Sequence, residues 1–418
     1  MRIVYTALAS LALPIALSRL LYKARRDRRY LAHLGERFGR YPAPGRPADL
    51  WFHAVSVGEV GALVPLIRAV LRAAPDIRLL VTVTTPTGRA TAEAALSEVA
   101  EIRYLPYDLP AFVAAVLDRV RPRALITVER ELWPNLFHAA AARGCVVWVV
   151  NARLTERSAV GYRRVWAIVA PAFEAVTRFF AQSERDARNL ADLGVAETRI
   201  AVAGNLKFDR PLPDTLGAAH ERCLALGCLR RGEEQIVAPA VAELAAAFGD
   251  LRVLVSPRQI GDAEPFAQAF ASAGLRVRRL ASMTEFDDLT PPVVALYDRM
   301  GGLGEVYARA TVAYVGGALV RLGGHSVAEA AGYGLPVIVG PHHEHNVDAV
   351  TALAGVAALR VVTDRADFVA AASDWLANPL ACAEAGGRAR DALEGMRGAS
   401  ERLVSSLRAS GLLGEGCF

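Results

Sequence analysis

From residue 50 onward, short continuous apolar runs alternate with stretches in which apolar residues recur every three or four positions. The runs are "LWFHAV" (50–55), "RLLVTVTT" (78–85), "IRYLP" (102–106), "ALITVE" (124–129), "VVWVV" (146–150), "FFAQ" (179–182) and "IAVAG" (200–204). Stretches such as "ALVPLIRAVLRAA" and "PAFVAAVLDRVR" lie between them and carry the helical period. Continuously apolar strands separated by amphipathic helices predict a parallel sheet covered on both faces. The rhythm lapses across about 209–234 and resumes with "QIVAPA" (235–240), "LRVLVS" (251–256), "LRVRRL" (275–280), "PVVALYD" (292–298), "VAYVGG" (312–317), "PVIVG" (336–340) and "ALRVV" (358–362), all read as strands. Two α/β halves are therefore expected, with a cleft between them and ligands beyond the carboxyl ends of the strands. The expected segments are 1–30 as an amino-terminal anchor with basic flank, 31–208 and 235–395 as the two domains, 209–234 as linker, and 396–418 as a terminal helix or tail.

The amino terminus departs from this pattern. "IVYTALASLALPIALS" (3–18) carries no charge, and Arg19, Lys23, Arg25, Arg26, Arg28 and Arg29 follow it. The stretch is shorter than the ~20 residues that span a bilayer comfortably. The basic flank, with no small-x-small cleavage site, favours a retained anchor over a signal peptide. By the positive-inside bias, the chain beyond about residue 19 is expected in the cytoplasm.

The 418 residues exceed one ordinary core, and a hydrophobic content of 53% with 22% charged residues indicates globular domains. The formal charge of +5 suits phosphate-bearing ligands or an anionic membrane face, though an arginine-rich composition gives the same sign. Cys145, Cys223, Cys228, Cys382 and Cys417 form no C-x-x-C pair and no zinc spacing, so free thiols are expected.

The chemistry-bearing residues fall at strand ends. Glu59 follows the first run, with a histidine six residues before it; "TTPTGR" (84–89), "EREL" (129–132), "NARL" (151–154) and "GNLKFD" (204–209) follow later runs. A glutamate at such a turn suits a general base. It equally suits a helix-capping carboxylate, worth ~0.3–1 kcal/mol beside the helix dipole. In the second half, "VGGALVRLGGHSVAEAA" (315–331) pairs glycines with Ser326 and Glu329 at capping-box spacing, a turn whose backbone N–H groups could face a phosphate. Arg258 in "SPRQ" ends another strand. No Gly-Lys-Ser/Thr loop, early G-x-G-x-x-G, D-x-D or G-x-S-x-G occurs, and His342, His343 and His345 lack the spacing of a helical zinc site.

Taken in order, "GERFGRYP", "WFHAVSVGE", "TVTTPTG", "YLPYD", "ERELWPN", "NARLTERS", "AQSERDA", "GNLKFD", "GGLGEVYARA", "VGGALV", "GGHSVAEAA" and "GPHHEHN" resemble the 3-deoxy-D-manno-octulosonic acid (Kdo) transferases, from residue 35 to about 350. The resemblance implies an α/β fold of GT-B type: two Rossmann-like domains, each with a parallel sheet, facing across an interdomain cleft, with an amino-terminal hydrophobic helix. It implies an inverting, metal-independent transfer of Kdo from CMP-Kdo to a lipid A precursor (lipid IVA) at the cytoplasmic side of the inner membrane. No cofactor, metal or nucleic-acid partner is implied. Glu59 matches the family's base and Glu131 its second acidic residue. Ser56, Gly58, Arg89, Asn205 and Lys207 match acceptor-side positions. Arg258, Gly301, Gly302, Gly317, Gly324, His325, Ser326, Glu329 and Asn346 match donor-side positions.

Departures from the family concentrate in the second half. Its Ser-Thr-His-x-x-Glu turn is read as "PAVAEL" (239–244), its M-G-E-L places Gly302 where glutamate is expected, and its G-G-S-L leaves Ala318 for serine. Ser326 replaces asparagine and Gln259 replaces histidine. Three outcomes stay open: other groups compensate, the donor is a different nucleotide sugar, or the chain binds the lipid A precursor with weak or no catalysis.

Overall fold

The computed structural model describes residues 2–42, 47–217, 222–299 and 301–413. Cys417, Met300 of "MGGL", residues 218–221 of the expected linker and 414–418 of the expected tail lie outside the described residues. The chain forms two compact units: the first is 1–210 with the returning 397–418, and the second is 211–396.

In the first unit seven parallel strands run in order β3-β2-β1-β4-β5-β6-β7. They are β1 (Leu50–His53), β2 (Leu79–Val83), β3 (Ala100–Tyr104), β4 (Ala124–Val128), β5 (Val146–Ala152), β6 (Arg178–Ala181) and β7 (Ile200–Val202). Alternate side chains of β1 divide between two cores. Leu50 and Phe52 join Val60, Leu63 and Ile67 on one face, while Trp51 joins Val113, Leu117 and Phe137 on the other. The terminal helix Ala399–Ala409 closes the first face through Leu403, Val404 and Leu407. The carboxylate of Asp209 accepts from Gly398 N–H at 2.7 Å and thereby holds that return. The strand order reverses between β1 and β4, the switch point at which α/β sheets bind ligands.

The amino-terminal helix Arg2–Ala24 has 23 residues with mean hydropathy 1.6 in its most apolar window, long and apolar enough to cross a membrane. Ile3, Leu11 and Ile15 stand exposed along it. Its start is fastened to the first unit: the Tyr5 hydroxyl donates to Asp108 and the Thr6 hydroxyl to Asn135, both at 2.9 Å. Asp108 in turn accepts the N–H groups of Asn135 and Leu136, which open the helix Pro134–Ala141.

The second unit has its own seven-stranded parallel sheet, ordered β10-β11-β9-β8-β12-β13-β14. These are β8 (Cys223–Leu229), β9 (Arg252–Pro257), β10 (Val277–Arg279), β11 (Val293–Leu296), β12 (Val312–Val315), β13 (Val337–Val339) and β14 (Leu359–Val361). The expected boundaries need correction here. β8 lies inside the stretch read as linker, and "QIVAPA" belongs to the helix Glu234–Ala247. "CLALGCL" is as continuously apolar as any other central strand. Its neighbour was misassigned because a short apolar run does not distinguish a buried strand from a buried helix. The reversal of strand order now falls between β8 and β12.

Candidate functional site

In the first unit, the turns after β1 and β4 meet at the switch point. Glu59 sits in the first turn of the helix Val57–Ala73 and folds back, its Oε2 accepting Val55 N–H at 2.6 Å. Its Oε1 has only a long contact, 3.3 Å from the Ser56 hydroxyl, which therefore does not cap the helix. That bond satisfies the backbone just before the helix, not a helix N–H, and the other carboxylate oxygen stays largely uncommitted. An added Cβ at Gly58 would meet nothing closer than Ser56 Oγ at 4.0 Å, so local packing does not demand glycine there. Gly88 is different: a Cβ would come within 2.8 Å of Thr85 Oγ1 and 3.3 Å of Val55 O, where the turn after β2 packs on the turn after β1.

Two more carboxylates share this place. Glu129, in left-handed backbone (φ 64°) just beyond β4, is ion-paired to Lys207 at 2.6 Å. Burial and the neighbouring Glu59 charge push the Glu131 carboxyl up to about 7. Burial likewise raises Glu59, and Glu129 adds to that effect, against the lowering contact from Val55 N–H. Loops brought together by Asn151 position Lys207. Asn151 accepts Leu206 N–H at 2.9 Å, and Asn205 accepts Lys207 N–H at 3.0 Å while donating to Gln182 at 3.2 Å. Lys207 and Lys23 are the only lysines among 48 basic residues.

The histidine before Glu59 is a packing residue. His53 is fully buried, its Nδ1 lies 3.0 Å from Thr82 O, its ring meets Trp133 edge-on at 5.8 Å, and burial depresses it to about 4. Arg89 does not join the acidic group. It is 6% exposed, donates to Glu36 at 2.6 Å and Glu93 at 2.7 Å, and stacks over Tyr104. A guanidinium so placed ties the helix after β2 to Glu36 and pairs with Glu93, away from the Glu59 group. Glu129 is the residue that motif reading passed over. Its signal was the first glutamate of "EREL"; its left-handed backbone has no sequence signature outside glycine and asparagine.

In the second unit the switch point is organised by a residue that the misplaced strand hid. With β8 at Cys223–Leu229, the turn after it reads Cys228-Leu229-Arg230-Arg231-Gly232-Glu233. The family's Ser-Thr-His-x-x-Glu falls there in register, with its glutamate retained. Glu233 is fully buried. Its Oε1 accepts the Tyr314 hydroxyl at 2.7 Å and the N–H groups of Gly317, Ala318 and Leu319 at 2.8, 3.1 and 3.1 Å. Its Oε2 accepts Arg230 N–H at 2.9 Å. Successive backbone N–H groups of this kind form an anion-binding concavity, and here the protein fills it with its own carboxylate.

The remaining donor-side residues surround this loop. Gly317 and Gly324 are both left-handed (φ 84° and 73°), and a Cβ on Gly317 would strike the His325 ring at 2.9 Å. Asn346 donates to Gly324 O and His325 O at 3.2 and 2.8 Å. Gly301 is left-handed in open space, while a Cβ on Gly302 would lie 2.3 Å from Tyr297 Cε1, so Tyr297 explains the glycine found in place of glutamate. Arg258, Ser326 and Glu329 are exposed. The capping box expected at Ser326 does not form: the helix Ala328–Gly332 is five residues long and begins after Val327, with no side-chain cap. Burial and the nearby Arg258 and Arg230 charges depress His325 to about 4. Among the described residues, no three His, Cys, Asp or Glu side chains converge as a metal-binding group.

A family described as 3-deoxy-D-manno-octulosonic-acid transferase (kdotransferase) matches residues 32–210. The chain is 30% identical to the 3-deoxy-D-manno-octulosonic acid transferase of Haemophilus influenzae, covering 97% of this chain and 98% of that one. It is 34% identical to the enzyme of the same name from Bordetella pertussis, over 84% of this chain and 83% of its relative. A putative UDP-N-acetylglucosamine 2-epimerase from Listeria monocytogenes has the same fold, with a TM-score of 0.63 at 14% identity over 87% of this chain and 97% of its own. Near-full-length identity to these transferases, carried by two parallel-sheet units and their turn motifs, makes the chain a member of the 3-deoxy-D-manno-octulosonic acid transferase family.

Proposed function

We propose that the chain moves Kdo from CMP-Kdo onto the glucosamine disaccharide of a lipid A precursor (lipid IVA), with inversion and without a metal, in lipopolysaccharide inner-core synthesis. The first unit binds the acceptor and the second binds the donor. Glu59 removes the proton from the acceptor's primary hydroxyl, whose oxygen forms the new bond to the anomeric carbon. The bond from that carbon to the CMP phosphate breaks, and its electron pair leaves with CMP. Such a transfer needs a base on the attacking side and charge stabilisation on the leaving side.

The observation that carries this reading is the state of Glu59: a partly buried carboxylate at a switch point, raised above its ordinary range, with one oxygen lightly engaged. A base raised toward neutrality is better matched to an alcohol proton than a fully solvated carboxylate. In this reading Lys207, partly exposed beside its partner Glu129, supplies positive charge toward an anionic acceptor, and Gly58 leaves the helix start uncovered. The amino-terminal helix and its basic flank support residence at the cytoplasmic side of the inner membrane.

Incubation of the purified chain with CMP-Kdo and tetra-acylated lipid A precursor, with product mass read out, tests the reading. A Kdo-bearing lipid should form and should persist in chelator. No product beside an active control enzyme overturns the donor–acceptor assignment. A second arm exchanges CMP for UDP or GDP in thermal melting, where a ligand at 100 times its Kd adds ~2.7 kcal/mol; preference for UDP or GDP would move the donor to another nucleotide sugar.

A further inference from the structure

We propose that Arg230 is a phosphate-binding residue of the donor site, supplying by charge what this chain has lost in hydroxyl and imidazole groups. This inference rests on the nucleotide-sugar reading of the second unit.

The corrected register sets the question. Where the family's turn offers a serine, a threonine and a histidine, this chain has Cys228, Leu229 and Arg230. Leu229 is fully buried and apolar, and the Cys228 thiol is only a weak hydrogen-bond donor, so neither matches a hydroxyl. Ala318, in place of serine on the facing loop, is also fully buried and has no polar side-chain atom. The single gain is a guanidinium.

That guanidinium is uncommitted. Among the described residues Arg230 makes no side-chain hydrogen bond or ion pair, although Glu233 lies three residues on. Glu233 is turned into the backbone cradle of Gly317–Leu319, both of its oxygens engaged, and cannot neutralise it. The Arg230 stem passes over Gly317, its Cγ 3.6 Å from where a Cβ would stand, so the left-handed glycine and the arginine share one face of the loop. Exposed Arg258, at the end of the adjacent β9, likewise makes no side-chain hydrogen bond or ion pair among the described residues. Both cations act on His325 beside them, which is held neutral. Two unpaired guanidinium groups thus converge on the carboxyl edge of the central strands, beside a loop whose own anion site is already filled. An external phosphate suits that arrangement, since guanidinium pairs with phosphate through charge-assisted and often bidentate bonds. When CMP departs, its phosphate passes from diester to monoester and gains negative charge, which a fixed arginine stabilises as it develops.

The test compares CMP with cytidine on the full-length protein, by calorimetric or spectroscopic titration. In the wild type CMP should bind more tightly than cytidine. Arg230→Ala should weaken CMP about 10- to 100-fold, about 1.4–2.8 kcal/mol, with cytidine unchanged. Arg230→Lys should retain part of the difference, and it serves as the comparison if the alanine variant does not fold. Unaltered CMP affinity in a folded Arg230→Ala protein overturns the inference and leaves the donor reading standing. If the wild type instead prefers UMP to CMP, and Arg230→Ala erases the UMP-over-uridine difference, Arg230 is supported while the cytidylate assignment falls.

Discussion

Lys207 Nζ lies 2.6 Å from Glu129 Oε1, so this cation is paired with the glutamate outside the proposed proton transfer. Glu59 and Glu131 are each raised by burial, and Glu131 further by the charge of Glu59, against the lowering charge of Arg130. Lys207 also lowers Glu59. Replacing it by methionine frees the Glu129 charge and removes that lowering influence. The acid limb of the transfer pH profile should then move upward. Lys207→Arg should restore the charge but not the point contact, giving a smaller upward shift. An unchanged limb in Lys207→Met would separate the ion pair from the base.

Glu59→Gln keeps an acceptor for Val55 N–H while removing the basic oxygen. Transfer should fall by roughly 10²–10⁴-fold, the usual contribution of a general base. The melting temperature and CMP affinity should remain near wild type. Activity within tenfold of wild type would assign the base elsewhere.

Glu131 should make stability depend on pH in the direction opposite to most carboxylates. Its folded pKa is about 7 against an ordinary value of 4.5. Between those values the unfolded chain has released a proton that the folded chain still holds. Stability therefore declines as pH rises from about 4.5 to about 7. The contribution is on the order of 2 kcal/mol. Glu131→Gln should abolish this decline and raise the melting temperature at pH 8 relative to wild type. Parallel melting curves of the two proteins from pH 5 to pH 8 would refute it.

The sequence made the strand ladder of the first unit legible because each strand there is a continuous apolar run ending in a polar turn. The same signal failed at β8 because the adjoining "QIVAPA" is equally apolar and only tertiary packing decides which becomes strand. That one slip concealed Glu233 and moved the family turn onto a helix. The surroundings of Arg89 were illegible for a different cause: an arginine in the first turn of a helix after a strand looks the same whether it faces a ligand or Glu36, 53 residues earlier. The left-handed backbone of Glu129 leaves no local trace, whereas that of Asn151 is of a kind asparagine favours.

The buried ion pairs of Arg89 predict a large part in stability. Its removal strips the shortest ion pair from Glu36, a 5% exposed carboxylate that retains Tyr104 N–H at 2.8 Å and Arg103 at 3.5 Å. Losing one partner of a buried pair costs ~3–5 kcal/mol. Arg89→Ala should lower the melting temperature strongly while the acceptor KM of the folded fraction stays within about twofold. Simultaneous Glu36→Gln should recover part of the loss, since the uncompensated charge is then gone. An acceptor KM that rises sharply with little thermal change would return Arg89 to the substrate.

The cradle filled by Glu233 makes a prediction about backbone packing. A Cβ on Gly316 would sit 2.5 Å from Cys228 O and 2.7 Å from Glu233 Oε2. Neither oxygen has room to withdraw: the first belongs to the turn after β8, and the second is held by Arg230 N–H while its twin is held by the N–H groups of Gly317, Ala318 and Leu319. Gly316→Ala should therefore cost ~1–3 kcal/mol through overpacking. It should also weaken CMP binding, because the displaced carboxylate loosens the loop beside Arg230. Gly249→Ala is the control, since nothing lies within 4 Å of its added Cβ; it should be neutral or stabilise by up to ~1 kcal/mol through the unfolded chain. Equal thermal shifts for the two variants would mean that the carboxylate yields freely, and the loop would then owe its shape to its glycines alone.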